Sequence, residues 1–296
     1  MLSSADNALA ARARLIADTV DQVLQWRMTE AFTFAALPSL RGFAASDDAA
    51  RPARTATALV ELKAIVAADQ SVRAVSIVDP SGLVILTTDS SMNANWGDRV
   101  FVREAAAGHL FASVPSRDFG EVSQYYSAPI IDNAGDVAAE LVMRASAQEL
   151  WNTLNAPPEV MLVDENGVRV IDRTSKPQTF VALASLAPEI AARVLAEERY
   201  GVEVTQVPGT RLAALADAIK QNKTATLSYQ GVDGRTLRAA TQRTSIYPWT
   251  VIVLQDEDAA LAPERDALVG AVEVSVVALV AGMILGIAFR KLGRAA

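Results

Sequence analysis

One stretch constrains this chain more than any other: the apolar run from Leu268 to Phe289, closed by Arg290, Lys291 and Arg294. As a helix rising about 1.5 Å per residue it reaches about 33 Å, enough for a hydrocarbon core of roughly 30 Å. Its only charge, Glu273, lies near the start. There it reaches the headgroup layer at modest cost, whereas at mid-membrane it would cost a few kcal/mol. The strictly apolar part, Val274 to Phe289, is slightly short, so Gly270 to Val272 count towards the span. Basic residues after the span place the C-terminus in the cytoplasm and everything before Asp266 outside. The expectation is a juxtamembrane helix over 256–267, a transmembrane helix over 268–289 and a short basic cytoplasmic tail over 290–296. The bulk of the chain is then periplasmic or extracellular, held at the cell membrane by a single C-terminal span. Ala278, Gly282 and Gly286 recur every four residues and line one face with small side chains, which permits close approach of a second helix.

Composition excludes several function classes. A formal net charge of −7 and a pI near 4.9 argue against nucleic acid as a partner. There is no cysteine, so neither disulfides nor thiol chemistry are available. His109 is the only histidine, which excludes a His-rich metal site. A Ser-His-Asp triad through it has no nucleophile motif beside it. No motif for phosphate, metal or nucleophile chemistry is present, so neither an enzyme nor a cofactor is expected. Met1 to Ser4 lead straight into a helical pattern with no charged n-region, apolar h-region or cleavage site. With the basic cluster fixing the orientation, this sets the expectation of a further membrane segment upstream.

Residues 3 to 45 read as one long helix with a break at Pro38. Leu2, Leu9, Ile16 and Val23 recur every seven residues, with Ala13 and Val20 beside them. Two readings stay open: a dimerising stalk with its seam through Leu9, Ile16 and Val23, or a helix packed on its own domain. Ser46 to Pro52 is a loop by composition, and Thr55 to Asp69 a second helix with Leu59, Leu62, Ile65 and Val66 on one face.

At residue 72 the period becomes strand-like. Val72 to Val78 and Leu83 to Thr87 flank the turn Asp79-Pro80-Ser81-Gly82. Arg99 to Ala107 is helical and ends at Gly108. Gln124 to Ile131 and Val137 to Met143 form a hairpin around Asp132 to Gly135. Ser146 and Glu149 are spaced as a capping box for a short helix. The design then restarts: Val160 to Val170 echoes Val75 to Ile85, and Val-Asp-x-x-Gly recurs 85 residues later. Helices over 188–198 and 210–220, a hairpin around Gly231 to Gly234 and a last strand from Trp249 to Leu254 complete the second copy. The predicted fold class is α+β: a long N-terminal helix (1–45), two PAS-like antiparallel-sheet modules in tandem (46–155 and 156–255), and a C-terminal transmembrane helix.

Several strings resemble the double Cache family of extracytoplasmic sensor domains, found in bacterial chemoreceptors, histidine kinases and cyclic-nucleotide enzymes. Ala74 to Gly82 is similar to the family's "hydrophobic strand, Asp, x, x, Gly" opening. Asp98 to Gly108 resembles its Arg-x-Tyr-Phe-x-x-Ala helix, and Ser127 to Gly135 the strand and turn that follow. Tyr247-Pro248-Trp249-Thr250-Val251 resembles the final strand of the second module. The resemblance covers nearly the whole chain. It implies a membrane-distal module that binds a small molecule and passes a shift to the transmembrane helix. The implied partners are the ligand, the membrane, a second copy of the chain and a signalling protein.

Amino-acid binders of the family use an Arg and aromatics of that helix for the ligand carboxylate, and acids of a loop and a later strand for the ammonium. The resemblance carries the Arg position onto Arg99, the first aromatic onto Phe101 and the loop acid onto Asp118. Val102 replaces the next aromatic, and Arg144 stands where the strand acid belongs. That exchange disfavours an ammonium and favours an anion by Coulomb terms of about 1–4 kcal/mol. The expected ligand is a small carboxylate or other anion held by Arg99 and Arg144, with Trp96, Phe101, Tyr125 and Tyr126 as walls. Tyr125 and Tyr126 are adjacent in a strand, so only one can face the site.

The blander reading pairs Arg99 with Asp118, pairs Arg144 with Glu140 or another acid, leaves His109 in solvent, buries Trp249 and uses Asp79 and Asp164 as turn residues. At the level of the whole chain, the alternative to a sensor is an accessory membrane subunit whose Cache fold is a ligand-free interaction module. Receptors of this family continue beyond the span into a coiled coil or an output domain, and Phe289 to Arg294 resembles the approach to one.

Overall fold

The computed structural model describes residues 4–92, 95–154, 159–221, 225–231, 233–259 and 262. The expected span over 268–289, with its Ala278-Gly282-Gly286 face, lies outside them. Among the described residues, no helix is long and apolar enough to cross a membrane.

Helix α1 (Ser4–Ala35) is the spine. It is followed by α2 (Pro38–Ala44) and α3 (Arg51–Ala68). The break between α1 and α2 has a local cause: Leu37, just before Pro38, is held extended at φ −61°, ψ 132°. The first module then runs β1 (Val72–Val78), β2 (Val84–Thr87), α4 (Val100–Ala106), β3 (Phe111–Ala112), β4 (Ser116–Asp118), β5 (Glu121–Ile131), β6 (Val137–Ser146) and α5 (Gln148–Thr153). The second runs β7 (Glu159–Val163), β8 (Arg169–Asp172), α6 (Pro188–Ala196), α7 (Ala213–Lys220), β9 (Ala225–Gln230), β10 (Thr236–Arg243) and β11 (Thr250–Asp256).

The two sheets are antiparallel and share one topology. The first has the order β2-β1-β6-β5-β3, with β4 pairing β5. The second is β8-β7-β11-β10-β9. In both modules the strand–turn–strand opening is locked the same way. Asp79 Oδ1 accepts from the Ser81 and Leu83 amides, and Asp164 Oδ1 from those of Asn166 and Val168. These are Asx turns, the reason Asp suits that position.

One face of each sheet packs on α1. Leu9, Ala13, Ile16, Val20 and Leu24 are buried in a core that includes Val75, Tyr126 and Leu141 of the first sheet and Val160, Val251 and Trp249 of the second. Each fully buried Val, Leu or Ile contributes about 1.5–3 kcal/mol. The heptad stripe is thus spent on the chain's own sheets. Of the two readings of this helix, the packed one holds, and Leu9 and Ile16, 3% and 7% exposed, are not free to form a dimer seam. Polar ties reinforce the docking: Asp6 pairs with Arg238, and Asp21 accepts from the Ser245 and Ile246 amides.

The capping box does not form. The α5 N-cap is Ala147, and Glu149 instead reaches the buried Arg27, which also binds Glu30 and Asp69. A guanidinium that finds three carboxylates is a stronger partner for Glu149 than one backbone amide.

Candidate functional site

The opposite face of the first sheet is covered by α4 and the segment before it. Arg99 is the α4 N-cap residue in extended conformation, which aims its side chain back over the sheet. Phe101 and Tyr125 stack with centroids 4.6 Å apart and planes 7° from parallel, while Trp96 meets both rings edge-on at 5.9 and 6.2 Å. The Arg99 guanidinium lies 5.3 Å from the Phe101 ring and 5.4 Å from that of Tyr125, within cation–π range.

Asp118 closes this cluster from below. Its Oδ2 accepts from Arg99 Nη2 at 3.1 Å, Ser116 Oγ at 2.9 Å and Tyr125 Oη at 3.1 Å, and its Oδ1 from the Val202 amide at 2.8 Å. A carboxylate buried to 1% exposure is tolerated because it is satisfied in this way. Burial, and then the Asp118 charge, pushes the Tyr125 hydroxyl far above the ordinary tyrosine range, so it stays a donor.

The second terminal nitrogen of Arg99 donates to Glu198 of the second module at 2.7 Å. Beside this pair lies a small cleft of about 20 Å³, room for a single water, lined by Arg99, Phe101, Phe111, Ser113, Tyr125 and Glu197, among others.

Arg144 lies beside this cluster, opposite Tyr125 in the β5–β6 register. It is 5% exposed, and its ion pairs are long: 3.4 Å to Asp89 and 3.7 Å to Glu121. Among the described residues, its Nε and Nη1 have no hydrogen-bond partner. The Phe119 ring covers it at 4.8 Å. Phe119 and Gly120 form the tip of the β4–β5 hairpin, both at positive φ (56° and 78°), a two-residue turn that suits Asn-Gly far better than Phe-Gly. The strain of a left-handed Phe places an aromatic ring on this buried cation. Further along the same face of β6, Glu140 is fully buried, with no partner for either carboxyl oxygen among the described residues. Burial, with Asp79 adding to it, pushes this carboxyl up to about 7.

Of the residues expected at the site, Arg99, Phe101, Asp118 and Trp96 come together. Arg144 is adjacent to them across Tyr125, but does not line the cleft beside Arg99. Tyr126 does not belong. Strand alternation turns it to the α1 side, where its hydroxyl donates to Gln124, and Tyr125 is the residue that faces the cluster. Arg99 does pair with Asp118, whereas Arg144 pairs with Asp89 and Glu121 rather than Glu140. His109 is exposed beside Glu104, and Trp249 is buried. Glu198 was not anticipated, because it comes from the other module. Glu140 carried a legible signal: a lone acid in a strand whose neighbours on both faces are apolar.

No family model and no curated protein matches the sequence. Solved structures do match. The sensor domain of the Vibrio cholerae histidine kinase DctB superposes with a TM-score of 0.64 at 14% identity, covering 85% of this chain and 98% of that one. The likeness is one of fold. The ligand-binding domain of the Campylobacter jejuni chemoreceptor Tlp3, in complex with 4-methylisoleucine, matches at TM-score 0.57 and 13% identity, covering 87% and 94%. That of the Pseudomonas aeruginosa chemoreceptor PctC, in complex with GABA, matches at 0.53 and 16%, covering 86% and 100%. Within this fold, the aromatic and arginine cluster occupies the face of the first module's sheet that lies opposite the spine helix.

Proposed function

We propose that the chain is the extracytoplasmic sensory part of a membrane receptor. In this reading its first module is membrane-distal and binds a small carboxylate or other anion. The observation that carries it is Arg144: a buried guanidinium whose Nε and Nη1 have no hydrogen-bond partner among the described residues, next to a ring-lined cluster that already holds a second arginine. Buried polar groups are normally satisfied, so donors left over at depth point to a partner that is not part of the chain. Planar donors suit a carboxylate. Neighbours of the same fold bind amino acids in their solved complexes, which supports a small-molecule role. Here a cation takes the place of the ammonium-binding acid, which favours ligands without an amine.

Such a sensor does no chemistry. It binds one of two conformations better and shifts their populations, and the shift would run through the second module to the membrane helix. Calorimetry of the full chain against acetate, lactate, succinate and citrate tests the site. Binding that Arg144→Ala weakens at least tenfold supports it; equal heats for both forms count against it. One observation favours the second reading, a ligand-free interaction module: both terminal nitrogens of Arg99 already carry carboxylates of the chain itself. Absence of binding by every acid in the panel would favour that reading.

A further inference from the structure

The segment Glu197–Val204 of the second module lies as a strap across the candidate site of the first. Glu198 pairs with Arg99 at 2.7 Å, and Glu197 with Arg103 one turn further along α4 at 3.3 Å. The Arg117 amide donates to the Tyr200 carbonyl, the Glu203 amide to the Arg117 carbonyl, and the Gly120 amide to the Glu203 carboxylate. Gly201, at φ +96°, presses so closely that a Cβ there would stand 2.1 Å from the Arg117 carbonyl oxygen. In its middle the strap is anchored in its own module. Arg199 and Tyr200 both donate to Asp164, the turn aspartate of the second sheet.

Glu198 differs from the rest of the strap. Its side chain is 47% exposed, against 8% for Arg99, and its backbone is left-handed at φ +45°. A half-exposed carboxylate on a strained residue can leave its arginine at little cost, whereas Asp118, buried and accepting four hydrogen bonds, cannot.

We propose that Glu198 is an internal competitor for the site: a ligand carboxylate reaches Arg99 only by exchanging with it, and that exchange loosens the strap anchored on Asp164. This rests on the reading of the first module as an anion site and adds what selects and reports the ligand. Acids able to replace a carboxylate on Arg99 would open the strap; neutral molecules of the same size would not. The second module then senses occupancy through a side chain of its own.

The test uses the full chain in three forms, wild type, Glu198→Gln and Glu189→Gln, with succinate and citrate as probes. Two readouts are taken: calorimetric affinity, and hydrogen exchange of the Val202 and Glu203 amides. Glu198→Gln should tighten acid binding about tenfold, the factor for a site free of its competitor roughly one tenth of the time. It should also raise strap exchange before any acid is added. Glu189→Gln removes the same charge from an exposed position of α6, outside the cleft, and should leave the affinity within about twofold. In wild type, acid should raise strap exchange to the Glu198→Gln level. Equal affinities for wild type and Glu198→Gln, or strap exchange that acid does not change, would overturn the proposal while leaving the site intact. Equal tightening by both variants would reduce it to general electrostatics and overturn it too. If no form binds either acid, the anion site itself fails, and the displacement idea falls with it.

Discussion

The two modules share a topology and a register, yet the faces their sheets turn away from α1 differ. Val78, before the first turn aspartate, pairs with Glu140, and Val163, before the second, pairs with Thr250. By the same register Ala74 faces Arg144, and Glu159 faces Leu254. The second module therefore has Leu and Thr where the first has a buried arginine and a buried glutamate. Its helix α7 closes on an aliphatic filling of Met161, Leu212, Leu215, Leu237, Ile252 and Leu254. Its buried Arg169 has all three nitrogens engaged, with Val181, Asp172 and Gln178. One copy of the fold is packed for stability, and the other keeps polar groups at depth that packing does not satisfy. Such departures from a well-packed core concentrate at functional sites.

The largest effect expected from breaking this contrast is at Asp118. Asp118→Ala leaves the Arg99 cation without its inner partner and strips acceptors from Tyr125 and Val202. It should cost about 3–5 kcal/mol of stability in denaturant melts. Next is Glu140. Its carboxyl is raised to about 7 when folded, against an ordinary value near 4.5. The unfolded chain therefore loses this proton first as pH rises. Stability from the neutral form is complete below about pH 4.5, declines between there and about pH 7, and is gone above. Glu140→Gln should flatten that slope, gaining on the order of 2–3 kcal/mol at pH 8 and almost nothing at pH 4. A wild-type curve already flat over that window would mean the carboxyl is satisfied.

Arg144→Leu, which copies Leu254, should stabilise the fold by about 1–3 kcal/mol, because an under-satisfied cation is replaced by apolar volume. The same change should abolish anion binding, so stability and function would move in opposite directions. The smallest effect is expected at His109, exposed beside Glu104: His109→Ala should change the unfolding free energy in denaturant melts by less than about 0.5 kcal/mol.

The tandem arrangement was legible in the chain because each copy opens with the same turn aspartate and glycine, and local turn chemistry does not depend on distant residues. The stripe through Leu9 and Ile16 correctly marked a buried face of α1, but a stripe says only that something covers it. Arg27, one turn beyond Leu24 on that stripe, was the visible sign of a buried ion cluster inside the domain. At the site, Arg99 and Asp118 were singled out through the family resemblance. Choosing between Tyr125 and Tyr126 required the strand's parity against the sheet, which alternation alone does not supply. Glu198 was out of reach for a different reason: its contact with Arg99 spans 99 residues, and only the docking of the two modules creates it.

The claim on which the account stands is that the first module, and not the second, takes a small anion. Methionine methyl NMR reads this directly, because Met92 lies in the cluster behind Trp96 and Phe101, and Met161 lies in the aliphatic core under α7. Titrating succinate or citrate into the labelled full chain should move the Met92 signal in saturable fashion and leave Met161 in place. Movement of Met161 with Met92 fixed would contradict the assignment.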